Sequence, residues 1–179
     1  MARAASLANA SARSRRAMSV HARIRGWGNE LVEERRTKTT ERVAAILERD
    51  VSATITDWLT RVERESELTC VPLSDEQRTG HLPKLLQELV QRLRVSHPLG
   101  TKKVSKAAVK HGKDRLSQGY SIPMIIEESR ILQVSIFQTL QNNLTTVDFS
   151  ILLWDVMTIA DEVDSQLKQT ISSFMEQAA

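Results

Sequence analysis

Three polar side chains in the segment AAVKHGKDRLSQGY, residues 107–120, have a spacing that would bring them together on a helix. His111, Arg115 and Gln118 occupy positions i, i+4 and i+7, which lie on one helical face. The segment closes on Gly119, as a helix ended by a left-handed glycine often does. An imidazole, a guanidinium and an amide in this arrangement could accept a phosphoryl group, ligate a metal or haem, act as a catalytic base, or form a buried hydrogen-bonded layer.

The neighbours of His111 argue against kinase-type chemistry. A phosphoacceptor histidine of the usual kinase pattern precedes Arg-Thr-Pro, whereas Gly112 and Lys113 follow His111, and the chain has no glycine-rich ATP-binding segment. A nucleophilic enzyme would need an activated serine or cysteine. The chain has no Gly-x-Ser-x-Gly, and its one cysteine, Cys70, lies beside a proline turn. We therefore predict that the protein is not an enzyme.

Metal, haem and nucleic-acid binding depend on what accompanies the histidines and lysines. His81, His97 and His111 fall on different predicted elements, without His-x-x-x-His or Glu-x-x-His spacing, so no metal site is predicted. A lone haem ligand stays open as an alternative, because one neutral imidazole in an apolar helical pocket suffices. The basic run from Lys102 to Arg115 lacks aromatic residues and a turn–helix pattern, so we predict neither a nucleic-acid site nor a bound cofactor.

The composition favours long helices and a reducing compartment. A chain of 179 residues suits one domain, and its six glycines and four prolines leave few turn signals. Aromatic residues make up only 4%, so aliphatic side chains must form the core. With Cys70 alone, no disulfide can form within the chain. We therefore expect a cytoplasmic protein.

The charge of the chain changes at about residue 29. Residues 1–29 hold six arginines and no acidic residue, whereas the rest of the chain holds 19 basic and 22 acidic side chains. We expect residues 1–29 to be a basic, disordered extension that folding does not need. A start assigned upstream of Met18, a targeting peptide and a contact with an anionic surface are the alternatives. No apolar run predicts a membrane span.

Hydrophobic periodicity predicts an all-α bundle of about five helices within residues 30–179. Ser74 and Ser121 are the expected N-caps of the second and fourth helices. Pro83 should either kink the second helix or mark its true start. The fourth helix is apolar on nearly every side and should be central. The expected ranges are about 30–67, 75–95, 103–117, 122–142 and 148–177.

The last predicted helix carries an apolar heptad pattern. This pattern is typical of the core face of a bundle helix, or of a stalk whose later half leaves the bundle. On the second interpretation, Leu167, Ile171 and Phe174 form a surface for self-association or for a protein partner, and we expect a homodimer. The residues of the pattern are Phe149, Leu153, Val156, Ala160, Val163, Leu167, Thr170 and Phe174.

The fourth helix carries charges that could meet the polar face of the third. We expect His111, Arg115 and Gln118 to point toward the helix bearing Glu128 and Arg130. Buried polar groups must be paired, and such a layer fixes the register of two helices at little gain in stability. It could equally open into a small polar pocket, and the residues alone do not separate a brace from a pocket.

Two segments, HLPKLLQELVQRL and AAVKHGKDRLSQGYSIPMIIEESRILQVSIFQTL, resemble the N-terminal domain of the RsbRD type, named from an RsbT co-antagonist of the bacterial stressosome. The resemblance covers about residues 50–145. It depends on His81 with Pro83, then Ala-Ala-x-x-His-Gly-x-x-Arg-x-x-Gln-Gly-Tyr, then Glu128-x-Arg130-x-Leu132. It implies an all-helical, globin-like sensory or interaction module without known catalysis. Because no output domain follows, we expect a member that acts in trans or has lost its output.

The sequence therefore predicts a non-catalytic bacterial signalling module of the stressosome or two-component kind. We expect it to respond to a ligand or partner by a conformational change transmitted through its last helix, and to bind a kinase or a stressosome-like component. A haem-binding, globin-like gas sensor and an enzyme of unknown class are the alternatives. The candidate sensing residues are His81, His111, Arg115, Gln118, Tyr120, Glu128 and Arg130.

Overall fold

Helices and their connecting loops make up the described part of the chain, as the sequence predicts. The computed structural model describes residues 40–95, 99–100 and 103–179. The expected extension (1–29) and the expected start of the first helix lie outside these residues. The helices, in chain order, are α1 (Val43–Arg49), α2 (Val51–Val62), α3 (Ser66–Thr69), α4 (Asp75–Thr79), α5 (Leu82–Arg94), α6 (Lys106–Ser117), α7 (Ile122–Asn142) and α8 (Leu152–Ala178).

The first predicted helix is broken where the sequence contains neither glycine nor proline. Asp50 separates α1 from α2 with φ −102° and ψ 19°. Its Oδ2 accepts a hydrogen bond of 2.9 Å from Nδ2 of Asn143, in the loop after α7. Arg49 donates to the Asn143 side chain as well, at 2.7 Å. Long-range hydrogen bonds hold this bend, so the prediction of one helix over 30–67 is wrong.

The local signals at the start of the second predicted helix are confirmed, although the helix is divided. Ser74 caps α4, because its Oγ accepts from Gln77 N–H and the Gln77 side chain accepts from Ser74 N–H. The helix then ends at Thr79, and α5 begins anew at Leu82 with Pro83 in its first turn. Pro83 therefore marks a helix start and does not kink one.

The helices on either side of residue 120 agree with their sequence signals. Ser105 caps α6 by accepting a hydrogen bond from Ala108 N–H, 2.9 Å long. Gly119 closes α6 with a φ of +81°, the left-handed conformation expected there. Ser121 precedes α7, and Pro123 lies in its first turn.

The central helix, α7, packs against α1, α2, α3 and α8. Its inner face joins one continuous apolar core with residues such as Ile46, Trp58 and Ile159. The expectation that α7 is buried on every side is wrong along one stripe, since Ile126 is 46% exposed. Bundle packing covers only the sides that face other helices.

The buried face of α8 follows the predicted heptad pattern only in its later half, where Val163, Thr170 and Phe174 are buried. Phe149, which precedes the helix, and Leu153 are exposed, whereas Asp155 and Thr158 are buried. The later half of α8 lies against α6 and does not leave the bundle. Phe174 belongs to the buried core, and Leu167 and Ile171 pack partly against it. The Phe174 ring is therefore not free to meet a partner, which corrects that part of the predicted docking surface.

A glycine allows α6 and α8 to come into very close contact. A Cβ atom on Gly112 would lie 2.2 Å from the backbone oxygen of Thr170 and 3.0 Å from the backbone nitrogen of Phe174. The side-chain hydroxyls of Thr170 and Ser173 donate hydrogen bonds to α6 carbonyls, at 3.2 Å and 2.9 Å. Small and hydroxyl-bearing residues therefore form this interface.

Among the described helices, none combines the length and the apolarity that crossing a bilayer would require.

Replacing Gly112 with alanine should destabilise the protein, although alanine is the better helix former. The new methyl group must push α8 away from backbone atoms, and overpacking of this kind costs about 1–3 kcal/mol. Urea denaturation measures the free energy of unfolding. Lys113→Ala, on the exposed side of the same helix, is the control and should change it by less than about 0.5 kcal/mol. A Gly112→Ala variant as stable as the wild type would show that α6 and α8 are not packed this closely.

Candidate functional site

A buried ion pair between α6 and α7 forms the centre of the candidate site. Arg115 and Glu128 are 1% and 2% exposed, and Arg115 Nε donates to Glu128 Oε2 over 2.9 Å. Three more guanidinium N–H groups donate to the backbone oxygens of Gln77 and Arg78, at 3.2 Å and 2.9 Å, and to the Gln118 side chain at 2.6 Å. One side chain of α6 thus ties α4 to α7.

Two histidines lie face to face beside this pair, one in the turn before α5 and one on α6. The rings of His81 and His111 are stacked, with centroids 3.7 Å apart and an interplanar angle of 10°. The Trp58 ring meets His81 edge-on at 6.0 Å, and its Nε1 donates to the backbone oxygen of Glu128 at 3.1 Å. His111 Nε2 lies 3.6 Å from Glu128 Oε2, which is too long for a hydrogen bond.

Burial and the nearby cations keep both imidazoles neutral. Loss of solvent, together with the positive charges of Arg115 and Lys110, lowers the pKa of His111 to about 3. The pKa of His81 is also well below its usual value, first because of desolvation. Glu128 would attract an imidazolium, but the Arg115 guanidinium already balances its charge. Because both imidazoles are neutral, they can stack in the protein interior without an additional negative charge beside them.

Desolvation acts on the acids of the site in the opposite direction. Burial raises the pKa of the Glu128 carboxyl, although Arg115 favours its charged form. Burial and the neighbouring Glu128 also raise the pKa of Tyr120, to about 12, so its hydroxyl stays protonated. The guanidinium carbon of Arg115 lies 4.6 Å from the centre of the Tyr120 ring, within range of a cation–π contact. This ring shields one side of the ion pair from water.

Two atoms of the cluster are buried without a hydrogen-bond partner. They are His111 Nδ1 and Glu128 Oε1, although the Tyr120 hydroxyl lies near enough to the carboxylate to influence its pKa. A cavity of about 20 Å³ borders His81, His111 and Glu128, which is room for about one water molecule or ion. A groove of about 400 Å³ between α4, α5 and α6 reaches the same two histidines. The cluster therefore has unused ligating atoms, a space beside them and a connected groove.

The structure brings together most of the predicted sensing residues. The inward orientation of His111 and Arg115 toward Glu128 is confirmed, and Tyr120 is buried with them. Gln118 is half-buried at the rim. Arg130 is the exception: it is exposed and pairs with Glu127. Residues 128 and 130 are two positions apart on α7 and so point to different sides of it.

Sequence reasoning missed two members of the cluster, Trp58 and Arg78. Arg78 is buried and donates to the backbone oxygens of Leu68 and Val71, and to the Tyr120 hydroxyl at 3.3 Å. In the sequence it stands in a charged segment that reads as a solvated helix end. Trp58 belongs to an apolar stripe that reads as core. No local signal showed that either side chain reaches the ion pair.

The grouping of His81, His111 and Glu128 was equally invisible in the sequence. One ligating atom from each lies within 4.8 Å of the others. The prediction that no metal site exists was based on residue spacing along single helices. These three residues come from three different helix regions, so that reasoning does not apply to them, and they could hold an ion.

The Arg115–Glu128 pair should show strong energetic coupling. Arg115→Met leaves a buried carboxylate without its cation, and breaking a buried pair in this way costs about 3–5 kcal/mol. Adding Glu128→Gln removes the uncompensated charge. The double variant should therefore be more stable than the sum of the single losses predicts, by at least about 1 kcal/mol. Urea denaturation of the four proteins gives the coupling energy.

The exposed pair of Glu127 and Arg130 on α7 is the matched control. Arg130→Met and Glu127→Gln should each change stability by less than about 1 kcal/mol, with little coupling. Additive losses at Arg115 and Glu128 would contradict the ion pair described above.

The neutral histidines should make the metal-free protein sensitive to acid. In the folded protein, the pKa values of both histidines lie below the unfolded value of about 6.5. Below pH 6.5 the unfolded chain therefore binds protons that the folded protein does not. The free energy of unfolding is at its full value above pH 6.5 and decreases as the pH falls toward 3. Between pH 7 and pH 5 the wild type should lose about 2 kcal/mol more unfolding free energy than His111→Phe, which keeps a stacked ring but cannot bind a proton. Urea denaturation at both pH values tests this, with the other histidines unchanged. Equal losses in the two proteins would mean that His111 already carries a proton near pH 6.

Comparisons with known proteins leave the family open. No protein-family model, curated protein or solved structure matches this chain. The resemblance to the RsbRD-type domain therefore stays a prediction based on the quoted motifs.

Proposed function

We propose that this protein is a non-catalytic bacterial signalling module, in which the state of the buried polar cluster sets the position of the C-terminal helix. The observation that carries this proposal is the adjacency of His111 and Gly112. His111 belongs to the cluster, and Gly112, the next residue, is in closest contact with α8. A small movement of α6 at the cluster must therefore displace α8 or be resisted by it.

The physical basis of such a switch is the mismatch between burial and hydrogen bonding. A buried polar atom without a partner costs about 1–3 kcal/mol, and His111 Nδ1 is such an atom. A ligand or a rearrangement that satisfies it would shift the equilibrium between two packings by a similar amount. This is the range of ordinary allosteric coupling, about 1–3 kcal/mol. Satisfying His111 Nδ1 would therefore supply a free energy comparable to that of ordinary allosteric coupling.

The first half of α8 offers a surface through which the signal could reach a partner. Leu153, Trp154 and Met157 are all exposed, and grouped apolar side chains on a surface often mark an interaction site. The partner would be a kinase or a stressosome-like component in the cytoplasm, and the self-association expected from the sequence could use the same surface. A displacement of the C-terminal half of α8, where it contacts α6, would be transmitted along the helix to this exposed surface.

The composition of the cluster supports a role without catalysis. Its side chains are imidazoles, guanidiniums, carboxylate and phenol, and among the described residues the one thiol, Cys70, is exposed and outside the groove. The guanidinium of Arg115 is 1% exposed and makes four hydrogen bonds to protein atoms, which leaves it little capacity to bind a substrate anion. The cavity of about 20 Å³ beside His111 is far too small for a haem, so a haem would have to bind in the groove of about 400 Å³ that also borders this histidine. Visible absorption of the purified protein tests the haem alternative directly, through the presence of a Soret band.

Affinity capture from extracts of the native bacterium, combined with hydrogen exchange, tests the signalling proposal. The baits are the wild type, Glu128→Gln in the cluster and Glu127→Gln on the surface of the same helix. We expect the wild type and Glu127→Gln to retain the same signalling protein. Glu128→Gln should change that affinity at least about fivefold, the lower end of allosteric coupling, and should alter amide exchange along α8.

Two results would contradict the proposal. One is that no kinase, stressosome component or other signalling protein is retained by a correctly folded wild type. The other is that Glu128→Gln and Glu127→Gln behave alike in both capture and α8 exchange, because the cluster would then have no influence on the C-terminal helix.

A further inference from the structure

We propose that His81, His111 and Glu128 form a binding site for one divalent transition-metal ion, with Zn²⁺ as the best fit. The three residues each place a ligating atom within 4.8 Å of the others. This inference concerns what the cluster binds, and it stands whether or not α8 transmits a signal.

The unpartnered atoms of the cluster point to a missing ligand. His111 is 5% exposed, yet its Nδ1 has no hydrogen-bond partner. Glu128 Oε1 also lacks a hydrogen bond of ordinary geometry, whereas Oε2 is held by Arg115. Buried polar atoms in native proteins are nearly always satisfied by protein, water or an ion. The adjoining cavity of about 20 Å³ is large enough for one such occupant.

The donor set selects among the metals. Imidazole nitrogens with one carboxylate suit Zn²⁺ and neighbouring transition metals, whereas Mg²⁺ and Ca²⁺ prefer oxygen alone. Two histidines and one glutamate, with a fourth position left to water, is an established ligand set for zinc.

Neighbouring groups would orient these ligands. The backbone carbonyl of Arg78 lies near enough to His81 to raise the pKa of its imidazole against the larger lowering caused by burial, and a carbonyl beside the second ring nitrogen is the usual support for a metal-binding histidine. Arg115 fixes the Glu128 carboxylate from its other oxygen. Because the rings are nearly parallel, they must tilt apart for both lone pairs to converge on one ion. The positive charge of Arg115 should make binding weaker than in closed cysteine-rich sites.

An ion could reach the cluster from solvent. The groove of about 400 Å³ is bordered by both histidines and also by Glu76 and Asp114. Lys84, Lys110 and Arg115 line the same groove, and Lys110 pairs with Asp114, so the groove offers an ion a path to the histidines but no net attraction for a cation. His81 is half-buried and borders the groove, so one of the three ligands is partly open to solvent.

Cobalt and zinc titrations of the untagged, chelator-treated full chain test the site. The background is Cys70→Ser, because the exposed thiol could bind either metal itself. We expect one Co²⁺ per chain, with the visible absorption of a low-symmetry nitrogen and oxygen site, displaced by one Zn²⁺. His111→Phe and Glu128→Gln should weaken binding by more than about tenfold. Glu127→Gln, on the exposed side of α7, should leave it unchanged.

Circular dichroism of each apo variant shows whether it folds. If His111→Phe does not fold, the titrations use His81→Gln in its place, because His81 is only half-buried. This variant should weaken metal binding to the same extent. The proposal is overturned if the folded wild type binds no metal, or if the cluster variants bind as tightly as Glu127→Gln, because the ion would then lie elsewhere. Loss of metal binding with unchanged partner capture would refute only the link to signalling.

Discussion

The ion pair between Arg115 and Glu128 is the interaction on which the arrangement of this protein depends. Two opposite charges lie in the interior at 2.9 Å, and each would be costly there without the other. Since Arg115 also holds the carbonyls of Gln77 and Arg78, the pair fixes α4, α6 and α7 together. A buried pair adds little net stability compared with apolar packing. What it provides is a penalty for every arrangement that separates the charges.

The second constraint is the close approach of α6 and α8, which places the C-terminal helix beside the ion pair. Gly112 removes the side chain that would hold the backbones apart, and Thr170 and Ser173 donate to α6 carbonyls across the gap. The polar face of α6 therefore meets α7, while its small-residue face meets α8. One twelve-residue helix joins the candidate site to the longest helix of the bundle, which is why the two can act as one unit.

The candidate site was partly predictable because part of it follows helical spacing. His111 and Arg115 share a face through their i, i+4 separation, and the charged Glu128 on an otherwise apolar helix indicated where that face would pack. The same reasoning failed for Arg130, because a charge two positions away on a helix points to another side. It could not find Arg78 or Trp58, whose polar atoms reach the cluster from helices distant in sequence.

By itself, the sequence determined the all-α class, the cap at Ser74, the position of Ser121 immediately before α7, and the left-handed end of α6 at Gly119. These features depend on backbone groups and dihedral angles within a few residues of each other. Only the tertiary structure decided the break at Asp50, the buried face of α8, and the stacking of His81 on His111. Each of these is set by contacts between residues far apart in sequence, where hydrogen bonding and close packing override the local hydrophobic pattern.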